Sequence, residues 1–470
     1  MARAALTSTA GRAVSAEGRV DLGDMQGLIV RGYGTMPHAT GLLAAVTDAV
    51  ALRSLLRRWA DEVGTGAPET GATAFNVAFT AAGLVAAGLA REVVQGGFSA
   101  PFTEGMVTEH RSRILGDVGS AAPPHWSWGG PHNPPVHVLL LLFAATPELL
   151  GDRAAELREQ AAGALRLVAE LPTDPLSRTE AFGFADGLSQ PQLAGLAGPD
   201  AGRAVATGEF VLGYANGYGQ LTERPLLDPA TDPGRILPHD PDGTGAADLG
   251  RGGSYLVLRQ LRQDVEGFHA FLADHTRRPD GTEDPAARDR LAAKIVGRWP
   301  SGAPLVLAPD RDEPGLDAVD FGYHELDRDG LRCPLGAHIR RANPRDSLEP
   351  GPGTDRSRAS TARHRLLRRG RGYTLADGER GLHFLCLVAD LARQYEFVQH
   401  TWLNSPTFNG LQDQPDPLVG PWSATATFVE QARPLRRRHS GLPEFVRTRG
   451  GGYFFLPGIS ALRYLAQVPA

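Results

Sequence analysis

Three short segments hold most of the residues that could do chemistry. The first is Cys333-Pro-Leu-Gly-Ala-His338-Ile-Arg-Arg-Ala-Asn-Pro-Arg345, one histidine followed within seven positions by three arginines. A neutral imidazole is a good ligand for haem iron. The guanidinium groups of Arg340, Arg341 and Arg345 can hold an anion by forked hydrogen bonds. An iron porphyrin needs both things, a nitrogen on the metal and cations for its propionates. The chain has 14 histidines, so this segment by itself does not single out His338.

The second segment is Glu180-Ala-Phe-Gly183-Phe-Ala-Asp186-Gly187-Leu-Ser-Gln-Pro191. Its glycines permit positive φ or close approach of the backbone, which would present Asp186 at a turn. The third is Arg363-His-Arg-Leu-Leu-Arg368-Arg-Gly-Arg-Gly-Tyr373, with five arginines. Such a run could be a nucleic-acid patch, but it lacks interleaved aromatics and the chain as a whole is acidic.

The elements that must position these residues are those of an ordinary globular protein. The chain has 470 residues, with 42% hydrophobic and 21% charged residues. Lys and Arg number 48 against 53 Asp and Glu, so no basic field draws it to nucleic acid or an anionic membrane. Two cysteines, Cys333 and Cys386, cannot build a disulfide framework and read as buried free thiols of a reducing compartment. There is no Cys-x-x-Cys-His, so a haem would be held without thioether links. The longest apolar run, Val136 to Ala145, is about half of the ~20 residues that span a membrane. A cytoplasmic location is expected, with residues 1–19 a disordered tail.

Along the chain, Gly27 to Tyr33, Thr73 to Thr80 and His137 to Phe143 read as strands. Leu52, Leu55, Leu56, Trp59 and Val63 mark one face of a helix. Another helix is expected from about Asp152 to Glu170. Later strands are expected at Glu209 to Tyr214, Ser254 to Arg259, Gly381 to Ala389 and Tyr453 to Leu456. Helices are expected at Gln263 to Leu272, Asp284 to Gly297 and Ala392 to Trp402. Long Pro/Gly/Asp-rich passages at Thr222 to Gly253, Asp310 to Gly330 and Glu349 to Thr361 are functional loops or insertions. His132 and His137 read as structural, and His383 and His400 as surface positions.

Together the three segments resemble the dye-decolourising-type haem peroxidases. Gly183-Phe-Ala-Asp186-Gly187 matches the family's Gly-x-x-Asp-Gly signature. His338 with Arg-Arg-Ala-Asn-Pro-Arg is similar to its proximal-ligand segment. Leu366-Leu-Arg368-Arg-Gly is similar to its distal-arginine segment, and Gly381-Leu382-His-Phe384 to the strand over the haem. The resemblance runs from Asp24-Met-Gln-Gly27 to Tyr453-Phe-Phe-Leu-Pro457.

The resemblance implies an α+β fold of two ferredoxin-like halves, residues 20–180 and 181–470, each an antiparallel sheet with flanking helices. Haem b would lie in the C-terminal half, bound non-covalently with His338 on the iron and Arg341 and Arg345 facing the propionates. Asp186 would be the acid–base for peroxide cleavage, ion-paired with Arg368 as electrostatic partner. Leu382 and Phe384 would wall the distal pocket. Crowding by Arg365, Arg369 and Arg371 leaves the register of the distal arginine open. Asp390 and Glu396 are candidates for a carboxylate behind the proximal histidine. The implied partners are hydrogen peroxide and an organic donor such as a dye or phenol. A haem-handling protein with incidental peroxidase activity is the other reading.

Overall fold

Val138 to Ala144 is apolar at every position, and all seven side chains are buried. A strand of this kind needs cover on both faces. It lies inside a nine-stranded sheet, as seen in a computed structural model that describes residues 20–68, 71–196, 204–316 and 318–468. The expected tail, 1–19, lies outside the described residues.

In chain order the strands are β1 (His38–Val46), β2 (Thr73–Phe79), β3 (Val138–Ala144), β4 (Leu165–Pro172) and β5 (Ser254–Gln263). They are followed by β6 (Leu367–Arg368), β7 (Arg371–Thr374), β8 (Arg380–Val388) and β9 (Val446–Leu456). The sheet order is β4-β1-β3-β2-β9-β5-β8-β6, with β7 also on β8. All pairings are antiparallel. The order 4-1-3-2 occurs twice, once in β1 to β4 and again in β5, β6 with β7, β8 and β9. That is the ferredoxin-like arrangement. The two sheets meet edge to edge where Phe455 pairs with Phe79, making one continuous α+β structure.

Helix α1 (Ala49–Glu62) is capped by Asp48, whose carboxylate accepts from the Val50 and Ala51 amides. Its buried stripe of Leu52, Leu55, Leu56 and Trp59 lies in one core with Leu140 and Leu142 of β3. The alternate residues Leu139, Leu141 and Phe143 face a second core on the other side of the sheet. Helix α2 (Pro147–Ala161) packs on the first face. In the C-terminal half, α3 (Val265–Thr276) and α4 (Pro285–Val296) contribute to a third cluster with Phe182, Phe184 and Phe445.

Three expectations change. Gly27–Val30 is a helical turn, not a strand: Gln26 donates to the Val77 and Pro457 carbonyls and pins the turn beneath the sheet. The Ala-rich β1, a strand that the sequence did not announce, carries a weak strand signal. The helix expected to reach Glu170 ends at Ala161, because Gly163 at φ +88° turns the chain into β4. Phe210 to Leu212 is a fully buried plug held by turn bonds from Phe210 and Val211 to the Thr207 carbonyl, not a strand. The long passage after Thr222 is anchored by Arg224, which sits between the buried carboxylates of Asp240 and Asp248.

Candidate active site

The alternation of strands β5 and β8 decides which side chains meet. Phe384 pairs with Arg259, Leu382 with Leu261 and Cys386 with Arg368, so these six project from one face of the sheet. Beneath them opens a cavity of about 1190 Å³, larger than the ~300–1,000 Å³ of ordinary ligand clefts. Leu382, Phe384, Arg259, Leu261 and Arg368 line it from the sheet, and His338, Asp186 and Arg345 line it from loops and helices.

His338 opens α5 (His338–Ala342), a single turn with no capping side chain at its N-terminus. Two buried arginines fix the turn in place. Arg340 donates to Asp327 Oδ2 at 3.0 Å and to the carbonyls of Cys333 and Asp327 at 2.7 and 2.8 Å. Its guanidinium lies 4.5 Å from the Tyr323 ring centre. Arg341 donates to the carbonyls of Gln414, Leu403 and Ser405 at 2.8, 3.0 and 2.6 Å. Arg341 is fully buried and is not part of the cavity wall, so its expected place at the propionates is corrected. Three backbone acceptors, left bare by two loops, draw the guanidinium away from the cavity. Burial lowers its pKa to about 10.

His338 Nδ1 lies 3.0 Å from Asp416 Oδ2. Asp416 also accepts from the Leu418 and Val419 amides, both at 2.9 Å. Burial pushes this carboxyl upward, but His338, Arg341 and the Val419 amide outweigh it and hold the pKa below the usual carboxylate value. Neither carboxylate expected behind the histidine is there. Asp390 caps Arg393, and Glu396 takes bonds from Tyr453 and Arg111. Asp416 is 78 residues past His338, in a Pro-Asp-Pro turn that looks unremarkable in sequence.

In the second segment, Gly183 and Gly187 take φ values of +97° and +74°, and Asp186 sits between them, open to the same cavity. Its amide is tied to the Arg178 carbonyl at 2.9 Å, and its Oδ1 accepts from Gly187 N at 2.6 Å. The third segment clamps this turn from the sheet side. Arg368 Nη2 donates to the Leu188 carbonyl at 2.7 Å, and Arg365 Nη2 to the Ser189 carbonyl at 2.5 Å. Arg368 therefore reaches the Asp186 turn through its backbone. The ion pair expected between the two side chains is not formed among the described residues.

Arg369 and Arg371 leave for the other half of the molecule, donating to the carbonyls of Leu28 and Ile29 and of Gly32, Tyr33, Met36 and Pro37. That leaves Arg365 and Arg368 as the arginines clamped onto the Asp186 turn. Arg345, at φ +56°, lies 3.7 Å over the Phe321 ring and donates to the Val319 carbonyl at 2.8 Å. Burial, then Arg345 and Arg368 nearby, push Arg365 down to about 9. Burial is also the main cause that lowers Arg298 to about 10, with Arg345 and Arg368 adding to it. One wall of the cavity thus concentrates positive charge and would gain by taking an anion.

The remaining candidates fall into place simply. Cys333 and Cys386 are buried free thiols. His137 Nδ1 accepts from the Val46 amide at 3.0 Å, and His132 is exposed. His400 is exposed as expected, whereas His383 is buried between Tyr373 and the Pro172 carbonyl.

No protein-family model matches the chain. It is 31% identical over 420 residues to a dye-decolorizing peroxidase of Exidia glandulosa, an alignment that covers 83% of this chain and 75% of that protein. It is 28% identical over 375 residues to a multifunctional dye peroxidase of an Amycolatopsis strain, covering 73% and 74%. The crystal structure of a fungal DyP-type peroxidase from Auricularia auricula-judae superposes with a TM-score of 0.75 at 25% identity, over 95% of this chain and 99% of that one. With this identity and coverage, and with the double ferredoxin-like sheet, the chain belongs to the dye-decolorizing peroxidase family of oxidoreductases.

Proposed function

We propose that the cavity holds haem b without covalent links and that the protein reduces hydrogen peroxide while oxidising an organic donor such as a dye or phenol. The observation that carries this reading is that His338, backed by Asp416, lines one cavity together with Asp186 and Arg368. The donor set fits the cofactor. Among the described residues no group of three or more His, Cys, Asp or Glu could chelate a bare metal ion, so a lone imidazole suits an iron already held by a porphyrin. The cationic wall around Arg345 and Arg365 suits propionates.

When bound, haem supplies the iron on which peroxide is reduced. His338 would offer Nε2 to that iron, its Nδ1 being held by Asp416. Asp186 would take the proton from the near oxygen of peroxide and return it to the far one. Arg368 would lend positive charge as the oxygen–oxygen bond separates. Leu382 and Phe384 would narrow the space above, admitting small peroxides. Arg345 and Arg365 would pair with the propionates in place of Arg341. No helix among the described residues is long and apolar enough to cross a membrane. A cytoplasmic location remains part of this proposal, on the two free buried cysteines.

The test is reconstitution with haem followed by stoichiometric peroxide while the Soret band is recorded. A stable Soret band that shifts with peroxide and recovers with a phenolic donor is expected. A stable band indifferent to peroxide would leave a haem-handling protein instead.

A further inference from the structure

Glu180 begins the turn that carries Asp186, and its carboxylate reaches forward onto that turn. Its Oε2 accepts from the Phe182 amide and its Oε1 from the Phe184 amide, both at 3.0 Å. The Glu180 amide in turn donates to the Phe184 carbonyl at 2.9 Å. From the sheet, Gln263 Nε2 donates to Glu180 Oε2 at 2.6 Å. Gln263 is the last residue of β5, and its Oε1 is buried without a hydrogen-bond partner, so the amide is oriented by Glu180. The two phenylalanines thus stapled line the cavity and belong to the third core cluster, where Phe182 lies 4.6 Å from Phe268. One carboxylate thereby joins three things: the floor of the cavity, the apolar anchor of the turn, and the backbone two residues before Asp186.

Such a buried carboxylate is expensive unless it is hydrogen-bonded. Burial indeed raises the Glu180 pKa, while the amides and Gln263 act against it and Asp186 adds to it. Other side chains could close a surface turn at lower cost. A group with two acceptor oxygens is needed to hold amides on both sides of Gly183 and still reach β5.

We propose that Glu180 is a positioning residue for Asp186, setting the height of the Asp186 carboxylate over the cavity through the Phe182–Phe184 amides and Gln263. This rests on the proton-transfer role given to Asp186 above. A displacement of ~1 Å at such a group costs up to about 10²-fold in rate. A glutamine at 180 keeps the size but has one acceptor oxygen, so one of the two amide staples is lost.

The experiment compares the haem-reconstituted parent with Glu180→Gln, Asp186→Asn and the double variant. The readouts are the second-order rate of the Soret change with peroxide and, separately, KM for a phenolic donor. Thermal melts establish that each variant is folded. Glu180→Gln is expected to slow the peroxide step by about 10–100-fold with donor KM unchanged. In the Asp186→Asn background it should add little, because the group being positioned is gone. A parent-like rate for Glu180→Gln overturns the proposal. Losses that multiply in the double variant also overturn it, since Glu180 would then act independently of Asp186. If Glu180→Gln fails to fold, Gln263→Leu, which removes only the sheet-side donor, takes its place in the same cycle. A parent-like rate for Asp186→Asn would instead sink the role of Asp186 itself, so the two failures are distinguishable.

Discussion

His338 and Asp416 are joined by a 3.0 Å contact between Nδ1 and Oδ2, and Asp416 is completely closed off while the imidazole faces the cavity. Asp416 can therefore fix the ring orientation without touching any ligand itself. Replacing His338 by alanine should abolish stable haem binding, read as loss of the Soret band after gel filtration. Asp416→Asn should retain haem but weaken its binding about 10–100-fold, measured by haem titration.

The same pair makes an acid-stability prediction. The Asp416 carboxyl is held below its ordinary value, so the native state keeps it charged to lower pH than the unfolded chain does. Its stabilisation is fully present above the ordinary carboxylate range near pH ~4 and is lost as pH falls through the native value. Asp416→Ala should cost the haem-free protein about 1.5–3 kcal/mol at pH 7. That difference should shrink in denaturant melts carried towards pH 3.

For the distal side, Asp186→Asn should keep haem yet slow the reaction with peroxide by the ~10²–10⁴-fold of a lost acid–base group. Arg368→Leu should slow it too, and should also loosen the turn by freeing the Leu188 carbonyl. Stopped-flow recording of the Soret change checks both. A parent rate in Asp186→Asn would hand proton transfer to another group.

Arg341 and Arg345 should separate cleanly. Arg341→Ala leaves three carbonyl acceptors unpaired, two of them in buried bonds, and should destabilise the haem-free protein by on the order of 3 kcal/mol. Arg345→Ala should leave the melt less affected and weaken haem binding. Paired melting and haem-titration curves on the two variants decide the assignment.

His383 offers a pH prediction on the strand face opposite Leu382 and Phe384. Burial, the dominant cause, lowers its pKa from 6.5 to about 4, against small opposing effects of the Pro172 carbonyl and Asp174. The unfolded chain takes up this proton first as pH falls. Its contribution is intact above about 6.5 and is lost down to about 4, at ~1.4 kcal/mol per pH unit. His383→Phe should flatten that part of the stability profile, seen in urea melts between pH 7 and 4.5.

The residue types of the site were legible without coordinates. An imidazole among arginines, an Asp between glycines and a Leu-Leu-Arg before a strand are local signals, and the structure brings His338, Asp186, Arg368, Leu382 and Phe384 to one cavity. The long periodic elements were legible for the same reason, since α1 and β3 carry their burial pattern within a few residues. What only the tertiary structure decided were the partnerships across long stretches of chain. Asp416 lies behind His338 from 78 residues away because a Pro-Asp-Pro turn returns beneath α5. Arg341 turns to backbone carbonyls, and Arg369 and Arg371 cross to the other half, because a guanidinium goes where unpaired acceptors are left. Sequence states which donors exist; the folded chain settles which carbonyl or carboxylate each one meets.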